Sequence, residues 1–281
     1  CEKCRAEKPS ETMIRFVNQV AERYPARKFS TLAYFRTEPP PTVKPRDNVQ
    51  VIMTTIGRPK NIPIETGTRE DIRDLKSNIL GWLRLSKNIV IWDYYGNLRH
   101  LLMPCADLYT MIENMKWYAK IGIRDFIMQT DAGVGHEFAE LKSFLIVELI
   151  KNPYQDEKTL IDRFLAGYYG GAAKYIKEYI NAIQDAARSI SSIINWFDVQ
   201  EYRATLFSDY NLKRYRCILD QALSAAGDSA TRLRVREVEL QLLYTQIQLG
   251  DFSAKPQFKA TCQALGEITI NEENVNWRKI L

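Results

Sequence analysis

The chain has 281 residues, of which 46% are hydrophobic, 26% charged and 11% aromatic. That globular balance excludes wholesale disorder, collagen-like repeats and low-complexity architectures. Mean hydropathy is −0.31, and no apolar run approaches the roughly 20 residues of a membrane helix. Lys and Arg number 39 against 34 Asp and Glu, a net charge of +5; so small and scattered an excess gives no case for a nucleic-acid partner.

In chain order, Ser10–Tyr24 places Ile14, Val17, Ala21 and Tyr24 at helical spacing, and Pro25 ends the run. A short strand is expected over Lys28–Phe35, then an extended loop forced by Pro39-Pro40-Pro41 and Pro45. Asn48–Thr55 is β-branched and reads as a second strand. Between these two strands there is no room for a crossover helix. Thr68 is expected to open a helix through Leu75, Ile79 and Trp82, with Asp71 three residues on completing a variant capping box. Asn88–Tyr94 is the clearest strand, continuously apolar as in strands buried on both faces. A helix over Leu108–Ile121 stops at Gly122, and Ile123–Gln129 is a further strand. The loop Asp131–Gly135 leads to a helix starting near Glu137. Alternating strands and helices imply parallel pairing.

After Pro153 only helical patterns remain: Asp156–Tyr169, Gly171–Ile194, Glu201–Ala226, Ala230–Leu249 and Lys255–Leu265, with a short segment ending in Trp277. The fold class expected is α/β plus α, with βα units over residues 1–152 and an α-helical domain over 153–281.

Five cysteines do not make a disulfide framework for a chain of this length. Cys1 and Cys4 form a C-x-x-C pair, but a zinc site needs two more ligands at matching spacing. A lipidated Cys1 is opposed by the compact basic stretch after it. The pair reads as loop residues at the edge of a domain that is cut. No metal or cofactor is expected.

In a parallel βα array the loops after the strands collect functional groups. Those positions hold Tyr34 and Arg36; Thr54, Thr55 and Arg58; Trp92, Asp93, Tyr94 and Tyr95; and Gln129 and Asp131. Aromatic rings cover the apolar faces of pyranoses, and carboxylates, amides and Arg satisfy hydroxyls, so this set suits a sugar. Asp93 and Asp131 close consecutive strands, which lie about 4.8 Å apart when paired. Two carboxyls at roughly 5–9.5 Å are what glycoside hydrolysis requires. The alternative for Asp93 is a buried carboxylate bonded to loop groups. Strand alternation puts Trp92 on the opposite face from Asp93, which reads as core, and Tyr94 shares the face of Trp92. Glu137 and Glu140 read as first-turn helix charges, His136 as a surface or capping residue, and Arg58 as solvated or paired within a cleft. Gly170-Gly171 reads as a hinge between helices, and Arg232–Arg236 as a solvated helix face. Phosphate-loop, nucleophile-elbow, zincin and dinucleotide fingerprints are all missing from the sequence.

The segments CEKCRAE, MIRFVNQVAERYP, TLAYFRTEPPP, VKPRDNVQV, NIVIWDYYGNLRHLLMPCADL, GHEFAELKSFLIVELIKNP and LIDRFLAGYYGGAAKYIKEYI resemble, in this order, a bacterial domain-of-unknown-function family, family 4838. That family is grouped with TIM-barrel glycoside hydrolases and is distantly similar to α-glucuronidases and β-hexosaminidases. The resemblance covers about residues 1–185, and WDYYGNL and GHEFAELKSFL are its most specific parts. It implies that residues 1–152 are the second half of a (β/α)8 barrel, that the C-x-x-C follows the fourth strand, and that an amino-terminal barrel half completes the fold. It also implies a secreted, periplasmic or outer-surface location. The expectation is a glycoside-hydrolase-like protein acting on or binding poly- or oligosaccharide. Asp93 and Asp131 are its catalytic candidates, and Tyr34, Arg58, Tyr94 and Gln129 its substrate-binding candidates. The rival expectation is a carbohydrate-binding or scaffold protein without turnover.

Overall fold

The computed structural model describes residues 7–130 and 132–281; Cys1, Cys4 and Asp131 lie outside the described residues. The chain divides into two compact units. The first comprises the described part of Cys1–Arg58, with Ile62–Tyr94 and Lys116–Gln129; the second comprises Pro59–Asn61, Tyr95–Met115 and the described part of Thr130–Leu281.

The first unit is built on a four-stranded parallel sheet in the order β1-β2-β3-β4, which is also the order of the chain. The strands are β1 (Phe29–Ala33), β2 (Val49–Thr54), β3 (Ile89–Tyr94) and β4 (Asp125–Gln129). Helix α1 (Pro9–Arg23) precedes the sheet, α2 (Glu70–Leu85) joins β2 to β3, and α3 (Leu108–Lys120) precedes β4. Between β1 and β2 there is only a 3-10 turn, Phe35–Thr37, as the missing crossover length predicts.

Register decides which side chains face the helices. Val51 pairs with Ile89 and Met53 with Ile91. These join Ala33 from β1, Ile14 from α1, Leu75, Ile79 and Trp82 from α2, and Trp117 and Tyr118 from α3 in one buried core. The other face carries Leu32, Ile52, Val90, Trp92 and Ile127. There Leu32 is 40% and Ile127 39% exposed, so this apolar face stays partly open, unlike the covered faces usual for parallel sheets.

The expected capping box at Thr68 does not form. Arg69 is the N-cap residue of α2 and makes no side-chain cap; Asp71 pairs with Arg69 instead, and its Oδ1 accepts from the Ile72 amide at 2.9 Å. Gly122, at φ +93°, ends α3 as its freedom from a Cβ penalty allows.

The second unit holds helices α4 (Ala139–Lys151), α5 (Glu157–Tyr169), α6 (Ala173–Ala187), α7 (Asp209–Ala225), α8 (Ser229–Gln248) and α9 (Lys255–Leu265). Asp156, Ser208 and Asp228 cap α5, α7 and α8 by accepting amides three residues on. Helix α6 ends at Ala187, short of the expected Ile194, and α7 begins at Asp209 rather than Glu201. The intervening chain is tied down instead: Asn61 and Asn195 hold it through backbone partners. Gly170, at φ +50°, ends α5 and opens the 3-10 turn Gly170–Ala172 that leads into α6, so the glycine pair does fall between two helices. The basic stretch is not simply a solvated face. Arg234 lies 4.3 Å over the Tyr168 ring, and Arg236 pairs with the buried Glu239 at 2.7 Å.

Candidate functional site

Parallel pairing brings the carboxyl ends of the four strands to one edge of the sheet, so Tyr34, Thr55, Asp93, Tyr94 and Gln129 share that edge. Asp93 is 1% exposed and stands on the helix-covered face with Ile89 and Ile91. Its Oδ1 accepts from the Thr55 hydroxyl and from the Tyr94 amide at 2.9 Å; its Oδ2 accepts from the Tyr118 hydroxyl at 2.8 Å. These bonds fasten the end of β3 to β2 and α3. Asp131, its expected partner, lies outside the described residues.

Trp92 and Tyr94 stand on the other face. Their rings stack at 5.6 Å between centroids and 11° between planes. The Trp92 indole N–H donates to Gln129 Oε1 at 3.1 Å, across the β3–β4 pair. Trp92 is half-buried and outside the helix-side core, so the expectation that it is core is corrected. Alternation was read properly, but the side covered by helices is the Asp93 side, and no strand pattern alone tells which face the crossovers cover.

Tyr34 is half-buried beside Phe35, with ring centroids 4.1 Å apart. Phe35 adopts φ 47°, a left-handed conformation costly for an aromatic residue, and is 64% exposed. Arg58 forms an ion pair with Glu38 in which one guanidinium nitrogen, Nη2, reaches both carboxylate oxygens, at 2.6 and 2.8 Å. Glu38 also accepts from Asn78 at 3.0 Å, and its backbone carbonyl takes the Trp82 indole at 2.8 Å. Glu38 went unnoticed in the sequence because the prolines around it read only as a loop; an acid before such a rigid segment was the available signal.

After β4, His136 and Glu137 depart from expectation, while Glu140 stands in the first turn of α4 as expected. His136 is 7% exposed, not a surface residue: Nδ1 accepts from the Gly133 amide at 3.1 Å, and Nε2 meets Thr269. Glu137 is not a first-turn charge in water but a buried partner of Lys142. Glu140 acts electrostatically on Glu237, whose carboxyl burial raises, and Glu237 accepts from Gly135 at 2.8 Å. The second unit also bears a groove of about 730 Å³ lined by Tyr175, Leu212, Arg216, Cys217 and Ala225, with none of the expected site residues in it. Among the described residues no group of three or more His, Cys, Asp and Glu is placed to hold a metal ion. No helix among them is long and apolar enough to cross a membrane.

A family model described as a domain of unknown function, DUF4838, matches residues 1–181. No curated protein and no solved structure matches the chain.

Proposed function

The chain belongs to the DUF4838 family, and we propose that it is a glycoside-hydrolase-like protein that takes poly- or oligosaccharide at the carboxyl ends of its strands. In this reading the four strands are half of a (β/α)8 barrel, four further βα units complete it, and the helices after Pro153 form a bundle. Sequential strand order, helices packed on one face and an apolar opposite face support that architecture.

The observation that carries the reading is half-buried Trp92 on the partly open face, stacked on Tyr94, which is itself only 5% exposed, with the indole steadied by Gln129. A fixed flat ring beside an amide is suited to the apolar face and hydroxyls of a pyranose. Tyr34 and Arg58 extend the polar rim, and Asp131 supplies a carboxylate. Asp93, with both oxygens engaged, acts by setting the end of β3.

A second reading, binding without turnover, is favoured by one feature: Asp93 faces the helix side. Titration calorimetry and product analysis with a panel of soluble oligosaccharides separate the two. Trp92→Ala is expected to weaken binding about tenfold, the equivalent of about 1.4 kcal/mol. Unchanged affinity in that variant removes the sugar platform. Turnover in the native chain that disappears in Asp131→Asn supports hydrolysis; binding with no product supports the second reading.

A further inference from the structure

In the second unit Asp107, Glu137 and Lys142 form a cluster away from water, with side chains 0%, 4% and 1% exposed. Lys142 Nζ lies 2.9 Å from Asp107 Oδ1 and also donates to Glu137 Oε2. Asp107 Oδ2 accepts from the Gly96 amide, and Glu137 Oε1 from the Cys105 amide at 3.4 Å. Fully ionised, two carboxylates would face one ammonium, leaving one negative charge unbalanced in a medium that tolerates it poorly. Among the described residues no second cation pairs with either carboxylate. The other titratable groups facing the cluster are Cys105, beside Asp107 on the loop before α3, and Tyr179 on α6. Burial pushes both well up, so both are neutral near pH 7 and supply no balancing charge.

We propose that this cluster is a proton-binding switch: a proton held on Glu137 lets Lys142 bridge to Asp107 and fasten the segment 96–107 to the start of α4, and its loss loosens that segment. The proposal is independent of the carbohydrate reading. Burial is the leading cause that lifts Glu137 from 4.5 to about 7; the Asp107 charge adds to it and Lys142 opposes it. Burial by itself would lower Lys142, but the charges of Asp107 and Glu137 overcome it and hold the ammonium well above its usual value, so Lys142 stays charged throughout. Because the Glu137 value is raised on folding, its contribution is fully present at acid pH and is lost as pH rises through about 7.

Amide hydrogen exchange of the whole chain, followed by NMR between pH 5 and pH 9 and corrected for intrinsic rates, reads the switch at Gly96 and Cys105. The protection of both amides should fall by up to about tenfold per pH unit up to neutrality and then level off. Glu137→Gln, neutral at every pH, should flatten that dependence. An equal slope in the native chain and the variant overturns the proposal. Should the variant not fold, the carbon-13 titration of the Glu137 carboxyl in the native chain decides: a midpoint in the ordinary carboxylate range overturns it, and one near neutrality sustains it.

Discussion

Asp93 in the first unit and Glu137 in the second are carboxylates of nearly equal burial, 1% and 5% exposed, with different surroundings. Inside its own unit Asp93 is held by two hydroxyls and a backbone amide, all at a strand end that they brace. Glu137 instead shares an ammonium with Asp107. A carboxylate held by directed donors is a fixed structural part. One that competes for a shared cation leaves the charge uneven and becomes sensitive to pH. Burial alone therefore does not say whether an acid is a brace or a switch; the count and charge of its partners does.

The sharpest way to break this comparison is to remove the shared cation. Lys142→Met should destabilise the protein by about 3–5 kcal/mol, because it strands two buried carboxylates. Urea denaturation should show the loss shrinking as pH falls and Glu137 takes up its proton. A loss under 1 kcal/mol would mean that the cluster is wetter than its geometry indicates. Tyr118→Phe withdraws one donor from Asp93 and should cost about 1–2 kcal/mol by urea denaturation. A loss under about 0.5 kcal/mol would remove the brace role given to that bond. Arg58→Lys, which keeps a single charged nitrogen for Glu38 on a more flexible stem, should have the smallest effect, about 0.5–1 kcal/mol by thermal denaturation. At the alkaline end, the raised Lys142 value means that its stabilisation is intact below about pH 10.5 and lost above it. Glu137→Gln, which removes one of the two carboxylates that hold the ammonium, should shrink that alkaline limb as well as flatten the neutral one.

Much of the first unit was legible in the chain. The apolar run of β3 gave its burial, and Gly122 marked the end of α3. The short span between β1 and β2 predicted their pairing without a helix. Helix ends after Pro153 were less legible: the apolar periodicity continues past Ala187, yet the chain there is held by Asn61 and Asn195, which are distant in sequence. Among the candidate residues, Tyr34, Asp93, Tyr94 and Gln129 stand at strand ends, as their spacing predicts. Which of them face the helices was not legible, because a strand displays two faces and its sequence does not name the covered one. Trp92 and Asp93 show this most plainly.

Local spacing, turn chemistry and apolar patterning determined the element order and the edge at which polar and aromatic groups collect, since these depend on residues close together in the chain. Only the tertiary structure decided that Asp93 would meet Tyr118 on α3 and that Trp92 would stand on the open face. It alone brought Lys142 to Asp107, 35 residues away, because ion pairing and burial are settled by which surfaces pack together.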